Sequence, residues 1–521
     1  MRNLPVVMLR GLRKAYHGRV VADGVDLDVR QGRQGGAMRA DRPEVAGREL
    51  GLLAFAFAAL LIAVSNRYGY HRDELYFIAI GRRPAFGYVD QPPLVPLLAH
   101  AMDAICGHSL LWLRVPSAIA GAVIVVVTGL IAREFGAARR AQLFAAACMA
   151  VSGVLLAVSH LMSTTTYDIL GWTVLSWLVI RGLRDSGPVW IAAGAVAGIA
   201  LEVKTLPAFF LFALLVGVLV AGPRGALRSR WLWAGAAIAA LMWLPNLWWQ
   251  AAHGWPQVTL ARAVASGSSG TSQSRWLFVP MQFLLLGPPL APVWIAGLVR
   301  LTRSRWRFFA VAYGVLVAVF VVTDGKPYYL CGMYPVLFAA AAEPTLRWAA
   351  RVRARAALLG VAVASAFATA AVITLPITPA STLHDTPIVA MNYDAGETVG
   401  WPRFADTLTR VVHAQPADTM VLTSNYGEAG AMLRLRPEIG HAYARQNSMW
   451  DLGPPPGGTT TAVVIGFSQR DRTRWFAQCH QAARIDNGLD VDNDEQGRLI
   501  YVCTGPRGLW STIWRQMRRF A

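Results

Sequence analysis

Two neighbouring carboxylates, Asp73 and Glu74, stand directly after a long apolar run, in the segment "NRYGYHRDELYFIAIGRRPAFGYVDQPPL". The same segment carries His71, Arg72, Arg82, Arg83 and Asp90. Charges at a membrane face are costly unless solvated or paired, so a loop that only connects two spans has no need of adjacent acids. The competing reading is a solvated loop whose acids pair with its own arginines. A third acid, Asp168 in "SHLMSTTTYDILGW", is the only carboxylate between Glu134 and Asp185 and sits at the start of another apolar run. An isolated acid at that depth is a functional-site hypothesis by default, against a helix N-cap or an arginine partner.

Cations complete the pattern. Of 49 basic residues only Lys14, Lys204 and Lys326 are lysines. Lys204, in "GIALEVKTLP", and Lys326, in "TDGKPYYLCGMYP" beside Tyr328 and Tyr329, fall at the ends of apolar runs. Cations there suit an anionic head group or a phosphate, and snorkelling anchors are the plain alternative. Acids and cations at one lipid–water boundary fit group transfer from a phosphate-linked lipid. A carboxylate takes the proton of an acceptor hydroxyl, and cations stabilise the departing phosphate. A transporter would scatter its charges near the bilayer midplane and show paired repeats, and no internal repeat is evident. A polytopic transporter and a non-catalytic envelope assembly protein remain the competing classes.

The elements that must position these groups follow from composition. The chain has 521 residues, 55% of them hydrophobic and only 15% charged, with a net charge of +19. That is too few charges to coat a soluble protein of this length, and a membrane protein is the default. Apolar runs near the ~20 residues that cross a bilayer occur at 50–65, 113–132, 141–159, 167–181, 189–204, 205–222, 231–250, 276–299, 308–323, 328–343 and 356–377. Threaded alternately from a cytoplasmic N-terminus, these eleven spans put Arg-rich loops such as Arg300, Arg303, Arg305 and Arg307 on the cytoplasmic side. The excess positive charge is then a topology signal, and no nucleic-acid partner is expected. Asp73, Asp168, Lys204 and Lys326 all fall on the opposite, outer face. Trp243, Trp248, Trp249 and Trp255 read mainly as an interfacial belt touching membrane lipids.

From residue 378 onward the long apolar runs cease. "TMVLTSN", "TAVVIGF" and "RLIYVCT" read as strands, and "VGWPRFADTLTRVVHA" and "RTRWFAQCHQAAR" as helices, a small α/β domain on the outer face. The terminal "WSTIWRQMRRF" is an amphipathic helix expected to pack on that domain. Asn425, Tyr426, Gly427 and Glu428 form a strand-to-helix turn, read as structural, with anion or acceptor binding as the alternative. The expected divisions are a cytoplasmic segment at 1–49, a membrane domain at 50–377 with its chemistry in the loop at 65–112, and the outer domain at 378–521.

Five cysteines exclude a disulfide-dense scaffold, and none has zinc-ligand spacing. Cys479 and Cys503 are a candidate disulfide in an oxidising compartment. Residues 5–32 resemble the opening strands of an ABC-transporter ATPase, but the chain has no G-x-x-x-x-G-K-[ST] phosphate cradle, so no ATPase function is expected. An overlong start, with Met38 nearer the true one, is the plainer account. No cleavable signal peptide is visible, and the first span serves as the anchor.

Read together, "YGYHRDELYFIAIGRRPAFGYVDQPPL", "WLPNLWWQAAHGWPQ", "GKPYYLCGMYP", "ETVGWP", "SNYGEAGAM" and "VDNDEQGRLIYVCTGP" resemble the bacterial branch of glycosyltransferase family 39. That family includes protein O-mannosyltransferases and lipid A aminoarabinose transferases. The likeness runs from about Leu50 to the end of the chain. It implies a GT-C fold, a polytopic α-helical membrane protein with a catalytic first outer loop. It also implies inverting transfer from a polyprenyl-phosphate sugar donor to a protein, lipid or glycan acceptor. By this resemblance Asp73 is the general base, Glu74 its neighbour and Asp168 the second acid. Lys204 and Lys326 match cations near the lipid phosphate, with Arg82 and Arg83 as further phosphate contacts. His71, Asp90, Tyr328 and Tyr329 are candidate substrate contacts. One departure stands out. The aminoarabinose branch has lysine before its proline pair, where this chain has Gln91 before Pro92 and Pro93, so donor and acceptor do not carry over from that branch. No cofactor is expected; a divalent ion held by Asp73, Glu74 and Asp168 is the minor alternative.

Overall fold

The computed structural model describes residues 5–16, 19–30, 42–266, 274–440 and 442–520. It divides into two compact units, Met1–Pro43 and Glu44–Ala521. The first contains an antiparallel pair, β1 (Pro5–Tyr16) and β2 (Arg19–Arg30). Met38 lies outside the described residues.

Within Glu44–Ala521 every expected apolar run forms a helix, a helix with a tight 3-10 entry, or a bent helix pair. Length and composition alone give three helices able to cross a membrane, Gly47–Val64, Leu110–Glu134 and Arg353–Thr374. Two bent pairs raise this to five: Arg139–Ala150 with Gly153–Ser159 at 63°, and Arg275–Leu286 with Pro288–Thr302 at 91°. The expected count of eleven is therefore larger than these criteria support. For several runs the reason is length: the 13-residue helix Val189–Leu201 rises only ~20 Å at 1.5 Å per residue, short of a ~30 Å hydrocarbon core. The sharper bend has a local cause. Gly287 has φ +92°, a conformation glycine adopts freely, and Pro288 and Pro289 follow it, neither able to donate a helical hydrogen bond.

Helices without a water-driven attraction between them need close backbone approach. Gly194 and Gly235 supply it where Val189–Leu201 crosses Arg230–Ala252, since a Cβ on Gly194 would lie 2.1 Å from the Gly235 carbonyl oxygen.

The C-terminal stretch carries a five-stranded sheet of β3 (Met420–Thr423), β4 (Ala442–Ala444), β5 (Thr461–Ile465), β6 (Phe476–Arg484) and β7 (Leu499–Pro506), in the order β4-β3-β5-β7-β6. β4, β3 and β5 run parallel, and β7 and β6 continue antiparallel. The helix expected over "RTRWFAQCHQAAR" is a misreading: only Gln469–Trp475 is helical, and the remainder is β6, a mostly exposed edge strand. Pairing with β7 and the Cys479–Cys503 disulfide across those two strands override local helix preference. The terminal helix Trp510–Met517 buries Trp510, Ile513, Trp514 and Met517 against this sheet, as its apolar face predicts.

The loop between Gly47–Val64 and Leu110–Glu134 folds into two helices, Arg72–Gly81 and Leu94–Ile105. Residues 74–81 are all buried. They lie against the helix Tyr426–Leu435, where Gly427 and Gly430, three apart and so on one face, allow contact with Arg72 and Leu75; a Cβ on Gly427 would meet Arg72 at 2.7 Å. The loop helix is thus held between the helix Leu110–Glu134, through Glu74 and Arg114, and the C-terminal helix Tyr426–Leu435.

Candidate active site

The start of the Arg72–Gly81 helix is fixed by its own cap. The His71 imidazole accepts from the Asp73 N–H at 3.2 Å, while Glu74 Oε2 accepts from the His71 N–H at 2.8 Å, a reciprocal pair that satisfies two otherwise orphan donors. Glu74 is fully buried and also receives Arg114 Nε and Nη2, each at 2.8 Å, and the Met162 N–H at 2.9 Å. With both oxygens so occupied, Glu74 ties the loop to the helix Leu110–Glu134 and to the segment before Thr164–Asp185, and has no face left for a substrate.

Asp73 is partly accessible, and its Oδ1 accepts from the phenol of Tyr426 at 2.8 Å. The Tyr426 ring lies 4.5 Å from that of Tyr76, whose own phenol donates to Asp90 Oδ1 at 2.6 Å and accepts from the Ser448 N–H. Burial pushes the Asp90 carboxyl up to about 7, so near neutrality it is only partly ionised. The His71 Nε2 lies 3.6 Å from Asp394 Oδ1. Burial works against the imidazolium, but the Asp394 and Asp73 charges outweigh it and raise the His71 pKa.

The cations stand in connections, Lys204 between the helices Val189–Leu201 and Leu206–Ala221 and Lys326 just before the turn Pro327–Met333. The helix Thr164–Asp185 is capped by Ser163, whose hydroxyl accepts from the Thr165 N–H. Thr165, Asp168 and Trp172 then share one face at helical spacing. The Lys204 ammonium donates to Thr165 Oγ1 at 3.2 Å and stands 5.1 Å and 5.6 Å from the ring centres of Tyr328 and Tyr329. Asp168 is buried, accepts from the Trp172 indole at 2.9 Å and acts on Lys204 electrostatically, as does Asp73. The 3-10 turn Pro327–Met333 that carries both tyrosines fits against Trp172 because Gly332 has no Cβ, which would lie 2.5 Å from that ring. Lys326 interacts with the charges of Lys204, Asp73, Arg72 and Asp394. Two ammonium groups in one field repel each other, and an anion between them relieves that repulsion.

Arg82 and Arg83 are not brought to this cluster. They are exposed at the far end of the loop helix, with Arg82 ~13 Å along the axis from Asp73 at 1.5 Å per residue, and Arg83 contacts the Asp451 carbonyl at 3.5 Å. Arg72 instead turns to the C-terminal sheet, pairing with Asp494 at 2.8 Å and Glu397 at 3.3 Å. Glu397 and Glu428 are fully buried beneath it and Glu495 nearly so, and burial raises the pKa of all three, Glu428 to about 7. Three of the motifs singled out in the C-terminal sequence therefore converge under the loop that carries Asp73. Among the described residues no group of three or more His, Cys, Asp or Glu side chains is arranged to hold a metal ion. Asp73, Glu74 and Asp168 each have separate protein partners.

Tyr76 and Arg114 were not among the candidates, and Tyr426 entered only within a turn read as structural. Arg114 carried a signal, a lone arginine in an apolar run, which calls for a buried acid. Tyr426 carried only the Asn425-x-x-Glu428 helix start, which marks a turn but not its target.

Comparison with known proteins places this geometry. Residues 90–249 match the family model described as dolichyl-phosphate-mannose-protein mannosyltransferase. A curated relative, the lipid A galacturonosyltransferase RgtD of Rhizobium johnstonii, is 25% identical over 238 residues, 45% of this chain and 50% of that protein. The match thus spans about half the length of that relative. Among solved structures, ArnT from Cupriavidus metallidurans bound to undecaprenyl phosphate superposes with a TM-score of 0.58 at 15% identity, covering 87% of this chain and 97% of that one. Its apo form gives 0.57 over the same shares. The chain is thus similar over residues 90–249 to the dolichyl-phosphate-mannose-protein mannosyltransferase family, and over most of its length it shares the fold of ArnT.

Proposed function

We propose that this protein is a membrane glycosyltransferase that moves a sugar from a polyprenyl-phosphate donor to an acceptor hydroxyl, with inversion, on the outer face of the membrane. The observation that carries the reading is the meeting of one accessible carboxylate, Asp73, with Lys204, Lys326, Tyr328 and Tyr329, contributed by separate parts of the chain. The names of RgtD and of the undecaprenyl-phosphate complex of ArnT support the substrate class.

In the proposed step the acceptor O–H gives its proton to Asp73 as its oxygen attacks the anomeric carbon. The bond from that carbon to the phosphate oxygen breaks on the opposite face, and the electron pair leaves with the phosphate. Lys204 and Lys326 stabilise the polyprenyl phosphate as its charge grows. A phosphate monoester is a competent leaving group, so the step needs one base and no general acid. Tyr328 and Tyr329 hold the Lys204 ammonium over their faces. Asp168 keeps Lys204 charged and oriented, a positioning role consistent with its buried place one turn from Thr165. On this reading residues 50–377 are the membrane domain and 378–521 an outer domain packed on the catalytic loop.

The test is direct. Membranes containing the protein are incubated with radiolabelled undecaprenyl-phosphate-linked mannose, galacturonic acid or 4-amino-arabinose, and the product anomer is read by NMR. Transfer with inverted configuration is expected from at least one donor. No release of sugar from any of them favours the transporter reading. A topology reporter fused after residue 378 is expected to report the outer side, and a cytoplasmic signal overturns the placement of the site.

A further inference from the structure

The C-terminal half does more than cover the loop. Tyr426 is held from every side: its N–H donates to Gln446 Oε1 at 3.1 Å, and the Asn425 side chain accepts from the Glu428 N–H at 2.9 Å. Glu428 Oε2 accepts from the Ser424 and Asn425 N–H groups, both at 3.1 Å. Gly427 and Gly430 then let the helix approach close enough for the phenol to reach Asp73. Its ring packs at a tilt against that of Tyr76, which is itself tied to Asp90 and Ser448. Burial and the Asp73 charge hold the Tyr426 phenol well above its ordinary pKa, so it keeps its proton and remains a donor across the neutral range.

We infer that Tyr426 is a positioning residue for Asp73, supplied by the C-terminal half of the chain. Its O–H fixes Oδ1 and leaves Oδ2 for the acceptor hydroxyl, so the membrane helices alone do not complete the site. A carboxylate with one oxygen pinned has a single useful orientation, and orientation of the base is worth orders of magnitude in rate. This rests on the reading of Asp73 as the base.

The experiment compares wild type, Asp73→Asn, Tyr426→Phe and the double variant in the transfer assay, using the donor that wild type transfers. Phenylalanine keeps the ring packed against Tyr76 and removes only the donor. Tyr426→Phe is expected to lower kcat about 10- to 100-fold with KM for the lipid donor within about twofold, since donor binding does not pass through Asp73. The double variant is expected to match the residual rate of Asp73→Asn, because the tyrosine has nothing left to position. Wild-type turnover by Tyr426→Phe, or a loss that multiplies onto that of Asp73→Asn, overturns the inference. If Tyr426→Phe melts well below wild type, Tyr426→His, which keeps a ring donor, decides: rate regained relative to phenylalanine supports the role, and rate not regained overturns it. Asp73→Asn transferring like wild type overturns the base assignment itself. A dead Asp73→Asn beside an unimpaired Tyr426→Phe overturns only the role of the tyrosine. If wild type transfers no donor, the glycosyltransfer reading falls and the inference with it.

Discussion

Glu74 and Arg114, separated by 40 positions, form a buried two-pronged ion pair in which guanidinium Nε and Nη2 each lie 2.8 Å from one carboxylate oxygen. The pair joins the loop that carries Asp73 to the helix Leu110–Glu134 and, through the Met162 N–H, to the segment before Thr164–Asp185. Removing one partner leaves a desolvated charge. Glu74→Ala is expected to cost about 3–5 kcal/mol, and Arg114→Ala a similar amount. Thermal melts in detergent check this; a Glu74→Ala protein that melts like wild type would place the residue outside the scaffold. Loss of activity in these variants should track loss of folded protein.

The lysine cradle makes a kinetic prediction. Lys204→Met is expected to lower kcat/KM for the lipid-linked donor about 100-fold, with Lys204→Arg recovering only part, because a planar guanidinium does not reproduce a compact ammonium over two tyrosine faces. Steady-state kinetics on solubilised protein are the check. Full recovery by arginine would reduce Lys204 to a general counter-charge.

Asp90 links pH to stability. Its folded pKa, about 7, lies above its ordinary value of 3.8 because of burial. The folded state therefore favours the proton, and this contribution is fully present below pH ~3.8 and is lost as pH rises toward ~7. Asp90→Asn keeps an oxygen for the Tyr76 phenol and cannot ionise. Its melting temperature relative to wild type is expected to climb between those pH values and stay level above them. A difference that does not change with pH across that range would show that folding leaves the Asp90 pKa unraised.

The disulfide across β6 and β7 offers a fourth test. Cys479→Ser with Cys503→Ser is expected to destabilise the C-terminal sheet by about 2–4 kcal/mol. Alkylation followed by mass analysis should find Cys479 and Cys503 unreactive until reduced. Free thiols at both positions in native protein would contradict the pairing.

How much of this could be read from residues alone depended on distance along the chain. Helices announced themselves through apolar runs, and Asp168, Lys204 and Lys326 stood out as a lone acid between Glu134 and Asp185 and as two of only three lysines. Two things stayed hidden. Whether a 13-residue helix crosses the bilayer is a matter of tilt and partners, which composition does not encode. Contacts between the loop and the C-terminal sheet were equally opaque: Tyr426 reaches Asp73 over 353 positions, and no local pattern foretells its target. The same holds for β6, whose sequence suits a helix until β7 and a disulfide claim it. Arg114 was legible in principle, as an arginine in an apolar run that required an acid.

The central claim is that Asp73 takes the acceptor proton, and one comparison tests it most directly. Purified wild type and Asp73→Asn, matched for folding by melting temperature, are given the same radiolabelled undecaprenyl-phosphate-linked sugar, and initial rates of transfer are compared. The predicted result is a fall of at least about 100-fold in kcat with donor affinity preserved. Equal transfer by the two proteins would contradict the account.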